Sequence, residues 1–479
     1  MTDRAVARAV FLLSLALAAA SPARAQQPAP GDTLRISIQD AVARALAQGD
    51  ELRLAESRSR AANAQLGVAR STALPALRMN STFTHVYENA RAQAVGQIFN
   101  QPNTYNVNFN LSAPLFQGGR ISAGLKSARG LRGAAEADVE QARADVTLDV
   151  LRAYLDALFA DRLVQIQRDN VRLAEERVRQ VEQLERAGRA SRYDVLRARV
   201  ERSNLEPAAI RAAGDRELAL LELRRLANLP SSQPVQLVSP VSADAVAALA
   251  QAAGAPTPAA DSAAVAAIPS VRAAELRAQA SRAGIAIARA DYLPTVSAFV
   301  QSGFQAFPTD WRLPTSRGAL ETVTCPPGSD ADRVCTQQNG GWFTDRSMGL
   351  QVSWPVFDGF RTRSNVALAR AQADVARAQA TQAREAAAVQ LAQARTDLET
   401  ARAQFAATRL NVAEAEEAFR LATLRFQRGL STQLDVSDAQ VALATARSNE
   451  ARATHELYLA AAGVARAQGR PIPLLPPAR

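Results

Sequence analysis

"LSAPLFQGGRISAGLKSARG" spans Leu111 to Gly130, and "VSWPVFDGFRTRSNVALARA" spans Val352 to Ala371, 241 positions further on. Both read as a strand end, a Pro, an aromatic residue, a Gly turn and the start of a long Ala/Arg-rich helix. At the same offset "RAGRASRYDVLRARV" (Arg186 to Val200) matches "QRGLSTQLDVSDAQV" (Gln427 to Val441), aligning Gly188 with Gly429 and Asp194 with Asp435. Upstream, "LRLAESRSRAANAQLGVARSTALPAL" (Leu52 to Leu77) matches "VRAAELRAQASRAGIAIARADYLPTV" (Val271 to Val296) at an offset of 219. Matches that keep their order at these offsets mark an internal duplication. The chain is two copies of one unit of about 200 residues, joined by a linker.

Each unit repeats one internal order. A helix of about 20 residues, near Leu52 to Arg70 and Val271 to Arg289, stops before the Leu-Pro pairs at 74–75 and 293–294, because Pro disfavours helix in the residue before it. Strands follow. Tyr105, Val107, Phe109, Leu111 and Ala113 alternate with Asn106, Asn108, Asn110 and Ser112. In the second unit Met348, Leu350, Val352 and Trp354 alternate with Ser347, Gly349, Gln351 and Ser353. From Leu77 to Tyr87 the odd positions are mostly apolar and the even ones mostly polar, whereas the strand after Pro294 is ragged.

Alternation alone describes any half-buried sheet. The aromatic residues change that reading. Of 24 in the chain, 16 lie in 73–117 or 292–360, including all three Trp. Aromatic girdles with apolar and polar residues on opposite faces mark an outer-membrane barrel, in which about ten tilted residues cross an apolar band of roughly 25 Å. Four strands are too few to close a barrel, which takes about eight, and an open edge cannot face lipid. If these strands span a membrane, the chain oligomerises. Tyr105, Phe109, Met348 and Trp354 are then expected to face lipid, and Asn106, Asn108 and Ser353 the lumen.

After Pro114 and Pro355 the chain runs almost free of Gly and Pro to the turns at Gly188 and Gly429. Nearly 70 residues of helix span roughly 100 Å. Apolar positions fall at spacings of three and four, as in Val139, Ala142, Val146, Val150, Ala153 and Ala157, a coiled-coil seam with many small residues. A second helix runs back after each Gly, so each unit ends in a helical hairpin with its turn at the far tip. Ser191-x-x-Asp194 and Thr432-x-x-Asp435 are capping boxes at that tip. Asp438 is one turn too far on to cap, and shares a face with Asp435.

The first residues carry Arg4 and Arg8, an apolar run from Ala9 to Ala20, and Ala23-Arg24-Ala25, the pattern of a secretory signal. The mature chain is expected to start near Gln26, where no Cys offers a lipid anchor. Beyond it no apolar run reaches the length of a membrane-spanning helix. The net charge of +10 comes from Arg dispersed among Glu and Asp, with Lys126 the single lysine; an exported chain meets no nucleic acid, and these charges read as solvated helix faces. Cys325 and Cys335 lie in a Gly/Pro/Asp-rich loop between the strands of the second unit, and in an exported protein they are most economically a disulfide. A metal site is disfavoured, because His85 and His455, the two histidines, lie elsewhere. "GGRISAGLKS" fails as a phosphate loop because Leu125 separates Gly124 from Lys126. No enzyme and no cofactor is expected.

Taken together, the signal, the duplicated unit, the strands ending in "PLFQGG" and "PVFDGF", the long hairpins and "RGLSTQLDVSDAQ" at the tip resemble the TolC-like outer-membrane efflux proteins over essentially the whole mature chain. The resemblance implies a fold that is mostly α with a membrane β-barrel. In it a homotrimer forms a twelve-stranded barrel, four strands from each chain, continued by a twelve-helix tunnel across the periplasm. It implies a periplasmic adaptor and an inner-membrane transporter of the resistance-nodulation-division or ABC type as partners. The duct would pass drugs, toxic compounds or a secreted protein, in a tripartite efflux or type I secretion system. By the same resemblance Asp435 and Asp438 align with paired acids at the periplasmic entrance, and Asp194 with an acid of the first hairpin. Gly188, Gly429, Leu430 and Ser431 match the turns that adaptors touch. Phe426 and Ser431 stand where a gate Tyr and Arg are found in the family, which puts its closed-state links in question here. The alternative is a non-channel envelope scaffold built on coiled-coil helices.

The expected plan is a signal peptide over 1–25, a first repeat over 26–228, a linker over 229–268, a second repeat over 269–468 and a Pro-rich tail over 469–479. Strands are expected near 76–92, 103–113, 294–307 and 346–356, and the helical hairpins over 118–227 and 359–467.

Overall fold

The computed structural model describes residues 33–88, 90, 102–230, 233–239, 241–254, 265–323 and 335–475. The segment expected to be a signal peptide lies outside these residues, as does Cys325 and with it the proposed disulfide. The chain begins with β1 (Leu34–Ile36), α1 (Ile38–Gln48), α2 (Asp50–Ser71), β2 (Ala76–His85), β3 (Asn103–Gln117), α3 (Arg120–Arg186) and α4 (Arg192–Leu226). It continues with β4 (Val235–Leu237), α5 (Ala243–Ala253), α6 (Pro269–Arg289), β5 (Thr295–Ala306), β6 (Leu320–Val323), β7 (Cys335–Gln338), β8 (Trp342–Ser353), α7 (Arg361–Gln427) and α8 (Gln433–Ala467).

The duplicated motif is the corner between sheet and helix. In the first copy two successive residues, Gly118 and Gly119, take left-handed backbone, with φ of 59° and 83°. A Cβ on Gly118 would lie 2.7 Å from the carbonyl oxygen of Ala290, so the turn needs Gly for space as well as for conformation. In the second copy the same two positions are Gly359 and Phe360, at 67° and 65°. The Asp358 carboxylate accepts the Thr362 N–H at 2.8 Å and steadies that corner.

Four antiparallel strands form one sheet in the order β2-β3-β5-β8, so the two repeats meet at β3 and β5, and β2 and β8 remain unpaired edges. Register sorts the residues by face. Leu77, Leu111, Val300 and Met348 form one cross-strand row, and Phe83, Tyr105, Ala306 and Trp342 another, on the apolar face. Asn80, Asn108, Gly303 and Asp345, with Arg78, Asn110, Gln301 and Ser347, occupy the polar face. Tyr105, Phe109 and Met348 thus share one face while Asn106, Asn108 and Ser353 share the other. A bulge between Pro114 and Phe116 returns Phe116 to the apolar side, opposite Val296. The β5 strand, ragged in sequence, fits the same pattern once Val296, Ala298, Val300 and Phe304 are set on one face. β2 ends at His85, short of the extent that its alternation implied, and Val86 N–H donates to the Pro102 carbonyl at 2.8 Å just beyond it.

The two hairpins match residue for residue: α3 and α7 each have 67 residues, and α4 and α8 each have 35. The returning arm is therefore about half the length of the outgoing one. The short helices α2 and α6 fill the half nearer the sheet, where α2 packs on α3, and α6 packs between α3 and α7. Ala134, Ala137 and Ala273 let α3 and α6 approach closely, and Arg272 pairs with Glu140 at 2.9 Å across them. In the other half α8 packs on both α7 and α3. At either level four helices stand side by side.

The main core lies where these halves meet. Ile36, Ile38, Val150, Leu151, Leu223, Val246, Leu457 and Ala461 are buried there around two phenols. Tyr154 is fully buried; its hydroxyl donates to the Ile36 carbonyl at 3.0 Å and accepts the Ser239 N–H at 3.1 Å. Burial raises its pKa, so it stays a neutral donor. Tyr458 likewise accepts the Leu475 N–H at 2.8 Å. β1 and β4 pair in parallel here, bringing the linker back onto the first repeat. Tyr154→Phe leaves the Ser239 N–H buried without its acceptor and is expected to cost about 1–3 kcal/mol. Thermal unfolding of the variant beside the wild-type protein checks this.

Candidate functional site

The far tips of the hairpins hold all the acids that the tip motif singled out. α3 ends in a reverse turn in which Gly188 has φ 74°, its N–H donates to the Glu185 carbonyl, and Arg189 N–H reaches back to Leu184 at 2.8 Å. α7 ends the same way, with Gly429 at φ 73°, its N–H on Phe426 and Leu430 N–H on Arg425 at 2.9 Å. Neither Gly has any atom within 4 Å of where a Cβ would sit, so conformation and not space requires Gly at both turns. Leu430 is 66% exposed and Tyr193 is 68% exposed, which leaves apolar surface at the turns.

Both capping boxes form. Ser191 N–H donates to the Asp194 carboxylate at 2.9 Å, and Asp194 N–H to the Ser191 hydroxyl at 3.2 Å. Thr432 N–H donates to Asp435 at 2.8 Å, and Asp435 N–H to the Thr432 hydroxyl at 3.3 Å. The Ser191 hydroxyl, then its N–H, hold Asp194 below the ordinary carboxylate range; for Asp435 the Thr432 N–H leads and the hydroxyl follows. Within one chain the direction is downward, so both acids are ionised at neutral pH. Asp438 is exposed one turn further along α8. Because both folded-state values are depressed, the cap contribution is fully present above the unfolded carboxylate value of about 4 and is lost as pH falls below it. Backbone hydrogen exchange at 191–195 and 432–436 should accelerate relative to the hairpin middles as pH is lowered through that range.

From Ser437, between the two acids of α8, upward, a polar network absent from the sequence-based expectations ties the hairpins together. Arg177 of α3, 9% exposed, donates to the Gln440 side-chain carbonyl of α8 at 2.8 Å, and Gln440 donates to the Asn170 carbonyl at 3.1 Å. Glu201 of α4 lies 3.9 Å from Arg177 and accepts from Ser437 of α8 at 3.3 Å. Burial pushes the Arg177 guanidinium below its ordinary pKa, with Glu201 opposing the shift. Higher still, His455 of α8 meets Asp156 of α3 at 2.7 Å. Nothing in the sequence distinguished Arg177 from the many other Arg of these helices.

Among the described residues no helix is long and apolar enough to cross a membrane, and no group of three or more His, Cys, Asp or Glu side chains could hold a metal ion. The sheet is different. On its apolar face Leu77 is 67% exposed, Met348 82% and Leu350 67%. The chain thus presents an apolar band at one end and, at the other, two turns rimmed with acids.

Known proteins share this arrangement. Residues 41–229 and 262–470 match the outer membrane efflux protein family, once in each half of the duplication. Nodulation protein T of Rhizobium leguminosarum bv. trifolii is 24% identical over 416 residues, covering 87% of this chain and 81% of that protein. The crystal structure of the Campylobacter jejuni CmeC outer membrane channel is similar with a TM-score of 0.72 at 17% identity, over 90% of this chain and 85% of that one. The open state of the Neisseria gonorrhoeae MtrE outer membrane channel gives 0.68 at 21% identity, over 90% and 89%. The long paired hairpins and the four-stranded sheet are the fold of those two structures, and the family matches once in each repeat: the protein belongs to the outer membrane efflux protein family.

Proposed function

We propose that three copies of this chain form the exit duct of a tripartite export system. Its barrel crosses the outer membrane and its helices cross the periplasm. The observation that carries this is the sheet: one apolar face, one polar face and two unpaired edges, β2 and β8. An open edge in hydrocarbon leaves backbone groups without partners, so β8 of one copy pairs with β2 of the next until the ring closes. Three copies bring twelve strands. The helices support the same closure, since α4 exposes Val200 and Ile210 and α7 exposes Leu368 and Leu410, each more than half, at the free flanks of the four-helix layer.

In this assembly the tips form the periplasmic entrance. Asp194, Asp435 and Asp438 rim it, and the turns at Gly188 and at Gly429, Leu430 and Ser431 are where a periplasmic adaptor docks. An inner-membrane pump of the resistance-nodulation-division or ABC type drives drugs, toxic compounds or a secreted protein into the duct. The loop of Cys325 and Cys335 lies outside the cell, closed by their disulfide, because each strand connection lies opposite the helices. In outer-membrane fractions we expect a trimer that survives detergent unheated and falls to monomers on boiling. A species that migrates as a monomer without heating would instead fit an envelope scaffold.

A further inference from the structure

Register leaves one cation on the apolar face. Arg346 pairs with Ser302, Ser302 with Phe109, and Phe109 with Met79, so Arg346 stands on the same side as Leu111, Val300 and Met348, and is exposed. Thr344, two residues along β8, shares that side. Arg346, Ser302 and Thr344 make a polar notch in an apolar surface.

No carboxylate of the sheet can neutralise this Arg. Asp345 is the only Asp or Glu in the four strands, and the period of two sends it to the opposite face, beside Asn108 and Gly303. In a closed barrel the strand next to β8 is β2 of another copy, whose residues on the apolar face are Leu77, Met79, Ser81, Phe83 and His85. None is acidic. Within the chain, the Arg346 side chain makes no hydrogen bond or ion pair with a described residue.

Depth points to what fills the gap. Trp342 stands in the aromatic row at the end remote from the helices, where Trp311 lies 5.7 Å from Phe83. Trp354 marks the other end, its indole N–H donating to the Tyr292 carbonyl at 3.2 Å. Arg346 is four residues from the first and eight from the second. At about 3.4 Å per residue and a tilt near 40°, it lies roughly 10 Å inside the remote row and roughly 21 Å from the near one. A long Arg stem carries its head toward the nearer interface. That interface is the outer leaflet, if the helices are periplasmic.

We infer that Arg346, with the hydroxyl of Thr344 on the way to the interface, binds a phosphate of the phosphorylated glucosamine lipid, lipid A, that forms the outer leaflet. The inference rests on the proposal that the apolar face meets lipid. A phosphate monoester takes two parallel N–H bonds from a guanidinium and leaves an oxygen for the Thr344 hydroxyl, and no carboxylate of the four strands shares that face.

The full-length oligomer in phosphatidylcholine nanodiscs, titrated with bis-phosphorylated lipid A and read by native mass spectrometry, tests this. Arg346→Gln is expected to weaken binding roughly tenfold or more, the loss of a charged hydrogen-bond donor. Arg346→Lys retains part of the binding, and lipid A stripped of its phosphates binds the wild type as weakly as the Gln variant binds the intact lipid. Equal binding by wild type and Arg346→Gln overturns the site, and so does full competition by phosphatidylglycerol or inorganic phosphate at the same concentration. A fluorophore on Arg346→Cys separates the two levels. Quenching by brominated lipid, together with equal lipid A binding by wild type and Arg346→Gln, sinks the site alone. Quenching by aqueous iodide and not by brominated lipid sinks the outward orientation of the strand as well.

Discussion

Val300→Arg is expected to destabilise the assembled protein by about 2–4 kcal/mol, while Gln301→Arg next to it is tolerated. Val300 pairs with Leu111 on one side and Met348 on the other, and Leu77 completes the row. Met348 is six residues from Trp342 and six from Trp354, so this row is the middle of the band between the aromatic ends. A cation there has the longest way to either interface. Gln301 pairs with Asn110 and Ser347 on the face proposed to be wet, where an Arg keeps its hydration. Phe109 is a poorer place to test, because its row already contains Arg346. A register error of one residue would exchange the two outcomes. Unfolding and refolding into lipid vesicles, followed across denaturant, measures both variants; equal costs would show that the sheet does not separate lipid from lumen.

Changing Asp435 and Asp438 together to Asn is expected to abolish cation selectivity and block by multivalent cations in planar bilayers. Each chain places both acids on exposed positions in the first two turns of α8, beyond the turn at Gly429. Three copies would gather six carboxylates at one constriction, which concentrates cations as an acidic ring does. Each loss of about 1.4 kcal/mol of attraction raises the blocking concentration tenfold. The helix start should survive, since the Thr432 hydroxyl still accepts the backbone N–H at position 435. Trimer stability is therefore the control, expected to change little. A double variant that conducts and is blocked like the wild type would leave Asp435 as a cap and nothing more.

Arg346 could have been found from the chain alone. The alternation of Met348, Leu350, Val352 and Trp354, continued two residues back, lands on an Arg in the apolar phase. Arg177 could not have been, because its burial comes from α8, 263 positions away at Gln440. The same holds for Tyr154, whose partners Ile36 and Ser239 lie on segments read as an unremarked start and a linker.

The chain's own letters determined the duplication, the strand faces and the tip turns, because each is written locally: a repeat offset, a period of two, a Gly in left-handed backbone before a capping box. Tertiary structure decided which elements meet. That β3 of one repeat pairs with β5 of the other follows from packing α6 between α3 and α7, which no periodicity encodes. That β1 and β4 close a parallel pair around a buried phenol follows from a cavity shaped by helices of both repeats. Local patterns set what each segment can bury, and only the assembled surfaces set against what.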